Sequence, residues 1–80
     1  MINKDEILEL TAIDVYNSAY YDQWGEYVEG NVHANALGNE VVVVDTDDHD
    51  KEVRRIACES QAEAERVANI YNDVIANWYD

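Results

Sequence analysis

Apolar residues recur at helical spacing near both ends of the chain and at strand spacing between them. Leu8, Ala12, Val15 and Ala19 form one stripe near the N-terminus, with Ile13, Tyr16, Tyr20 and Trp24 in a second beside it. Steps of three and four residues place such positions along one side of an α-helix. Asn3 suits the N-cap, Glu6 completes the spacing of a capping box, and Asp5, Glu6 and Glu9 sit where the helix macrodipole favours negative charge. The pattern predicts a helix from Lys4 to Tyr21, extending toward Trp24, with Gly25 and Gly30 marking its exit.

The middle of the chain reads as antiparallel sheet. Val32, Ala34 and Ala36 alternate with polar neighbours, and Gly38-Asn39 is a two-residue hairpin signal. Glu40 to Thr46 contains Val41–Val44, a β-branched run suited to a strand buried on both faces. Asp47-Asp48-His49-Asp50 is a polar turn, and Glu52 to Cys58 is the returning strand, with Val53 and Ala57 on one face. Helical spacing then resumes. Ser60-Gln61-Ala62-Glu63 forms a capping box, followed by Ala64, Val67, Ala68, Tyr71, Val74, Ile75 and Trp78 on one face. Glu65, Arg66, Asn69, Asn72, Asp73 and Asn77 occupy the other, and Tyr79 belongs to a frayed end. The order α-β-β-β-α predicts a small two-layer α+β domain with a three-stranded antiparallel sheet, one domain over residues 1–80.

Composition supports a folded chain. Hydrophobic residues make up 48% and aromatics 10%, which is core-forming material that disordered sequences lack. No apolar run approaches the ~18–20 residues of a membrane span, the longest being Val41–Val44, so no membrane partner is expected. Residues 1–6 show no basic region leading into an apolar stretch, and Cys58 is the single cysteine, so a reducing, cytoplasmic setting is expected. Five basic residues against eighteen acidic ones make direct nucleic-acid binding unfavourable, because phosphate contacts draw on Lys and Arg.

Catalytic and metal chemistry find little purchase. The run Asp45-Thr46-Asp47-Asp48-His49-Asp50 begins like a calcium loop, but the sixth position holds Asp50 in place of Gly and the twelfth holds Ile56 in place of Glu. A solvated turn is the expectation, with weak metal binding as the alternative. Cys58, His33 and His49 show no spacing that joins a nucleophile to a base, and Cys58 within a strand reads as a small buried hydrophobe. No glycine-rich phosphate loop occurs. No cofactor, no metal and no enzymatic activity are therefore expected.

Charge is the distinctive feature. The net charge is −13, and residues 1–50 carry twelve acids against Lys4 alone, whereas residues 51–80 carry six acids against four bases. Like charges on a compact body repel, and solubility needs a net charge of only ~2–8 in magnitude. The surplus predicts a basic partner. A nucleic-acid-binding groove is built to receive about one phosphate charge per 1.7 Å of duplex, and a rigid acidic face could occupy it. The segment Tyr20 to Glu29 interleaves aromatics with acids, and aromatics supply affinity at interface centres that charge alone does not.

In size, charge, element order and its closing hairpin and Glu59–Ala68 segment, the sequence resembles the small acidic inhibitors that bacteriophages use against host defence. These include anti-CRISPR, anti-restriction and other DNA-mimic proteins, and the α-β-β-β-α order is similar to one Cas9-blocking family. The resemblance implies a non-enzymatic protein in the bacterial cytoplasm that binds a CRISPR effector or restriction-type nuclease and blocks access of DNA. Such an effector reads its recognition duplex with arginines, which a carboxylate cluster would suit. The expected contact residues are Asp14, Asp22, Glu26, Glu29, Asp45, Asp47, Asp48 and Asp50, with Tyr21 and Trp24 as anchors. The protein is expected to act as a monomer or homodimer. A phage or mobile-element adaptor or assembly protein, acidic only for solubility, is the alternative; a metal-dependent regulator is a third.

Overall fold

The computed structural model describes residues 1–78, so Tyr79 lies outside the described residues. The first helix, α1, spans Lys4–Asn17, and Asn3 caps it by accepting the Glu6 N–H on its side-chain oxygen at 2.9 Å. It stops at Asn17, short of the predicted Tyr21 and of any extension to Trp24. The reason is local pairing of the aromatic residues beyond it. Strand β1 (Tyr20–Tyr21) joins strand β2 (Tyr27–Val28) antiparallel, with Tyr20 opposite Val28 and Tyr21 opposite Tyr27. Tyrosine and valine favour extended backbone, and Gly25 at φ 77° supplies the left-handed residue that the connection needs.

The predicted stripes of α1 also shift. Ile7, Thr11, Asp14 and Val15 face the core, whereas Leu8, Ile13 and Tyr16 are exposed. Apolar residues lie all round this helix, so periodicity did not single out the inner face. Its two buried polar residues are satisfied: the Thr11 hydroxyl donates to the Ile7 carbonyl at 2.7 Å, and Asp14 has the partners described below.

Three strands form the main sheet: β3 (Val32–Leu37), β4 (Glu40–Asp45) and β5 (Lys51–Ala57), antiparallel in the order β3-β4-β5. Leu37 pairs with Glu40 across the predicted Gly38-Asn39 turn. Val32 and Ala34 point inward with Val41, Val43 and Ile56, and both helices contribute to the same core through Ile7, Val15, Ala64, Val67, Ala68 and Tyr71. Val42 lies on the other face of β4 yet is only 6% exposed. Arg55 sits opposite it and reaches Glu52 at 2.7 Å and Glu40 at 3.6 Å, so an ion-paired side chain stretches over the valine. The hydrogen bond from Arg55 holds the Glu52 carboxyl below its usual range.

In β5 a bulge interrupts the pairing, because Val43 faces Arg54 while Val44 faces Glu52. Val53 is the extra residue, and both it and Ala57 are exposed, leaving Ile56 as the core position. Helix α2 spans Gln61–Ala76, with the Ser60 hydroxyl accepting the Glu63 N–H at 3.1 Å and the Glu63 carboxylate accepting the Glu59 N–H at 3.0 Å. Asn72, which the pattern placed on the polar face, instead completes the sheet. Its amide accepts the Ala34 N–H at 2.8 Å and donates to the Ala34 carbonyl at 2.9 Å, taking the place of a further strand along the edge of β3. The result is an α+β domain of helix, strands and helix. Among the described residues, no helix is long and apolar enough to cross a membrane.

Candidate acidic and aromatic surface

The predicted contact residues do not share one environment. Asp14 is 2% exposed and lies in the core. Its carboxylate accepts the Tyr71 hydroxyl at 2.6 Å and the Arg54 Nε at 3.0 Å and 3.1 Å, joining α1, α2 and β5. Burial pushes the Tyr71 phenol well above its ordinary value, and hydrogen bonding to Asp14 adds to the effect. Contrary to expectation, Asp14 is not a surface residue: its negative charge is used internally, where an arginine and a tyrosine offset the cost of burying it.

Three more acids accept hydrogen bonds within the fold, Asp22 and Asp45 from local backbone and Glu29 from a distant side chain. Asp22 is half-buried, and one carboxylate oxygen accepts the N–H groups of Trp24 at 2.9 Å and Glu26 at 3.0 Å, tying up the end of the β1–β2 ribbon. Glu29, also half-buried, accepts the Trp78 indole N–H at 2.6 Å. Asp45 is 8% exposed, and its side chain accepts the Asp47 N–H at 3.0 Å. These interactions correct the expectation that all eight carboxylates stand ready for a partner.

What remains exposed is Glu26 on the ribbon and Asp47, Asp48 and Asp50 on the β4–β5 turn. The turn is well fixed. The Lys51 N–H returns to the Asp48 carbonyl at 3.1 Å, and His49 and Asp50 both adopt positive φ, 55° and 57°, as a type I′ turn requires. Thr46 ties the same region to the Asn31 carbonyl through its backbone N–H and its hydroxyl, each at 2.9 Å.

The chain leading from α1 into the ribbon and this turn border the same cleft. A cleft of about 510 Å³ is lined by Asn17, Ser18, Ala19 and Tyr20 on one side and by Asp45, Asp47, Asp48, Lys51 and Val53 on the other. Gly30 allows the chain to return past the end of α1: its N–H donates to the Val15 carbonyl at 3.1 Å, and a Cβ there would meet Ser18 Cβ at 2.4 Å. Tyr21 is 73% exposed and Trp24 is 77% exposed. Tyr20 and Tyr27, outside the predicted contact set, are exposed alongside them. Asp5, Glu6 and Glu9 are elsewhere, near the opposite end of α1. At 1.5 Å per residue, Asp5 stands roughly 18 Å along the helix from Asn17. The acidic front half of the sequence is thus divided in space.

The other candidates can be placed as well. Cys58 is half-buried, and burial raises its thiol pKa, with Glu63 adding to the rise, so the nucleophilic thiolate is disfavoured. His33 and His49 are exposed. Among the described residues, no group of three or more His, Cys, Asp or Glu side chains is arranged to hold a metal ion. In comparisons with known proteins, the chain matches no family model, no curated protein and no solved structure.

Proposed function

We propose that this protein is a non-enzymatic inhibitor of the anti-CRISPR or DNA-mimic kind. It docks the end of the molecule formed by the β1–β2 ribbon and the β4–β5 turn on a basic nucleic-acid-binding surface of a nuclease or effector, and so blocks DNA. The observation that supports this most is the exposure of Tyr21 and Trp24 on a ribbon whose base shares a cleft with the acidic turn. The exposed carboxylates steer the encounter and set register, and the aromatic rings contribute affinity once water is excluded. Asp22 and the type I′ turn hold both loops, so little conformational freedom is lost on binding.

Replacing Glu26, Asp47 and Asp48 together with lysine tests this directly. All three are exposed, so the variant is expected to fold while losing its basic partner. Full retention of inhibition by the folded variant would count against the proposal. The adaptor alternative draws on a different feature, the groove of about 690 Å³ between α1 and α2 that includes Leu8, Ile70, Val74 and Trp78. It predicts binding that is insensitive to both salt and the lysine substitutions.

A further inference from the structure

Building on the docking of a basic protein partner, we propose that the β1–β2 ribbon is an arginine-recognising surface. Its exposed rings would receive guanidinium groups of the partner and discriminate them from lysine ammonium groups. Tyr21 and Tyr27 meet edge to face, with centroids 5.7 Å apart and planes at 67°, so the edge of one ring rests on one face of the other while both side chains stay more than half exposed. Trp24 stands at the end of the same ribbon and is 77% exposed. Asp22, Glu26 and Glu29 belong to this segment, and no lysine or arginine occurs between Lys4 and Lys51. Aromatic faces in a negative field are receptors for cations.

The chain's own arginines are engaged elsewhere. Arg54 binds Asp14, Arg55 binds Glu52 and Glu40, and Arg66 donates to the Ile2 carbonyl near Glu63. The rings are consequently left for an outside group. Arginine fits them better than lysine does. Its guanidinium is planar, weakly hydrated and able to stack on a ring while its edge pairs with a carboxylate such as Glu26; an ammonium is compact and holds its water. Because Asp22 fixes the loop, the rings are presented in place before the partner arrives.

The test is titration of the full chain with octa-arginine and octa-lysine peptides, followed by calorimetry and by the indole N–H resonance of Trp24. Net charge is the same for both peptides, so a preference for arginine reports guanidinium-specific contact, and its loss when the rings are removed assigns that contact to them. Partly desolvated guanidinium–ring contact corresponds to roughly tenfold tighter binding of the arginine peptide. The preference should vanish in the Tyr21→Ser/Trp24→Ser double variant while affinity for octa-lysine is kept. If that variant does not fold, an arginine-specific shift of the Trp24 resonance in the unaltered protein decides the matter. Equal affinity for both peptides, with Trp24 unmoved, overturns arginine recognition and leaves the basic partner standing. Failure of both peptides to bind at low salt overturns both readings.

Discussion

Replacing Asp14 with alanine removes the acceptor shared by two groups in the interior. The Tyr71 hydroxyl, on a fully buried side chain, loses its hydrogen-bond partner, and Arg54, whose side chain is 29% exposed, loses its counter-charge. A hydrogen bond to a charged group is worth about 1.5–3 kcal/mol, and removing one partner of a buried pair costs about 3–5 kcal/mol. The second range already includes the orphaned groups, so about 3–5 kcal/mol is expected in total. A chain of this length has roughly 4–12 kcal/mol of stability, and Asp14→Ala should consume much of it. Tyr71→Phe keeps the ring and leaves Asp14 on Arg54, so its cost should be smaller, about 1.5–3 kcal/mol, the range for one hydrogen bond to a charged group. Urea unfolding followed by circular dichroism, run on both single variants and the double, gives the coupling between the two sites. An Asp14→Ala protein within about 0.5 kcal/mol of the parent, the range of an ordinary surface substitution, would refute the internal role.

Three further outcomes follow from the same geometry. Tyr71 holds its proton in the fold above the ordinary tyrosine value, so its contribution is complete below that value and is lost as pH rises beyond it. From about pH 10 to 11 the difference in urea stability between the parent and Tyr71→Phe should shrink by about 1 kcal/mol; a flat difference would contradict this. Gly30→Ala places a Cβ 2.7 Å from the Val15 carbonyl oxygen and 2.9 Å from the Ser18 carbonyl carbon, both backbone atoms, so thermal unfolding should show a loss of about 1–3 kcal/mol. Asn72→Leu leaves the Ala34 N–H and carbonyl on the β3 edge without their partners; a loss of about 2 kcal/mol and faster amide exchange at Ala34 are expected.

Elements whose signal was local could be read from the sequence. The Asn3 and Ser60 caps, the Gly38-Asn39 turn and the valine run of β4 each carry their own physical cause within a few residues. The ribbon could not be separated from helix, because Tyr20 and Trp24 continued the spacing of α1 while their pairing depended on Tyr27 and Val28 across a loop. Asp14 misled for a related reason. Its charge looked like surface charge until Arg54 and Tyr71, 40 and 57 positions away, were brought to it by the fold. Asn72 is the same case in a polar amide: nothing beside it in the sequence announces Ala34. The candidate surface was legible in Tyr21, Trp24, Glu26 and the Asp47–Asp50 turn, whose exposure needs no distant partner. The internal partners of Asp22, Glu29 and Asp45 were not legible, because carboxylates that accept loop N–H or indole N–H groups look, in sequence, like any other acid.

The most direct measurement is a competition experiment on a partner captured and identified from a bacterial lysate. The purified partner is loaded with labelled duplex DNA, and this protein is added at increasing ratio and at two salt concentrations. Displacement of the DNA near one equivalent, weakened by salt and abolished when Glu26, Asp47 and Asp48 are replaced by lysine, is the expected result. A ternary complex in which the partner holds DNA and this protein together, unaffected by those substitutions, would contradict it.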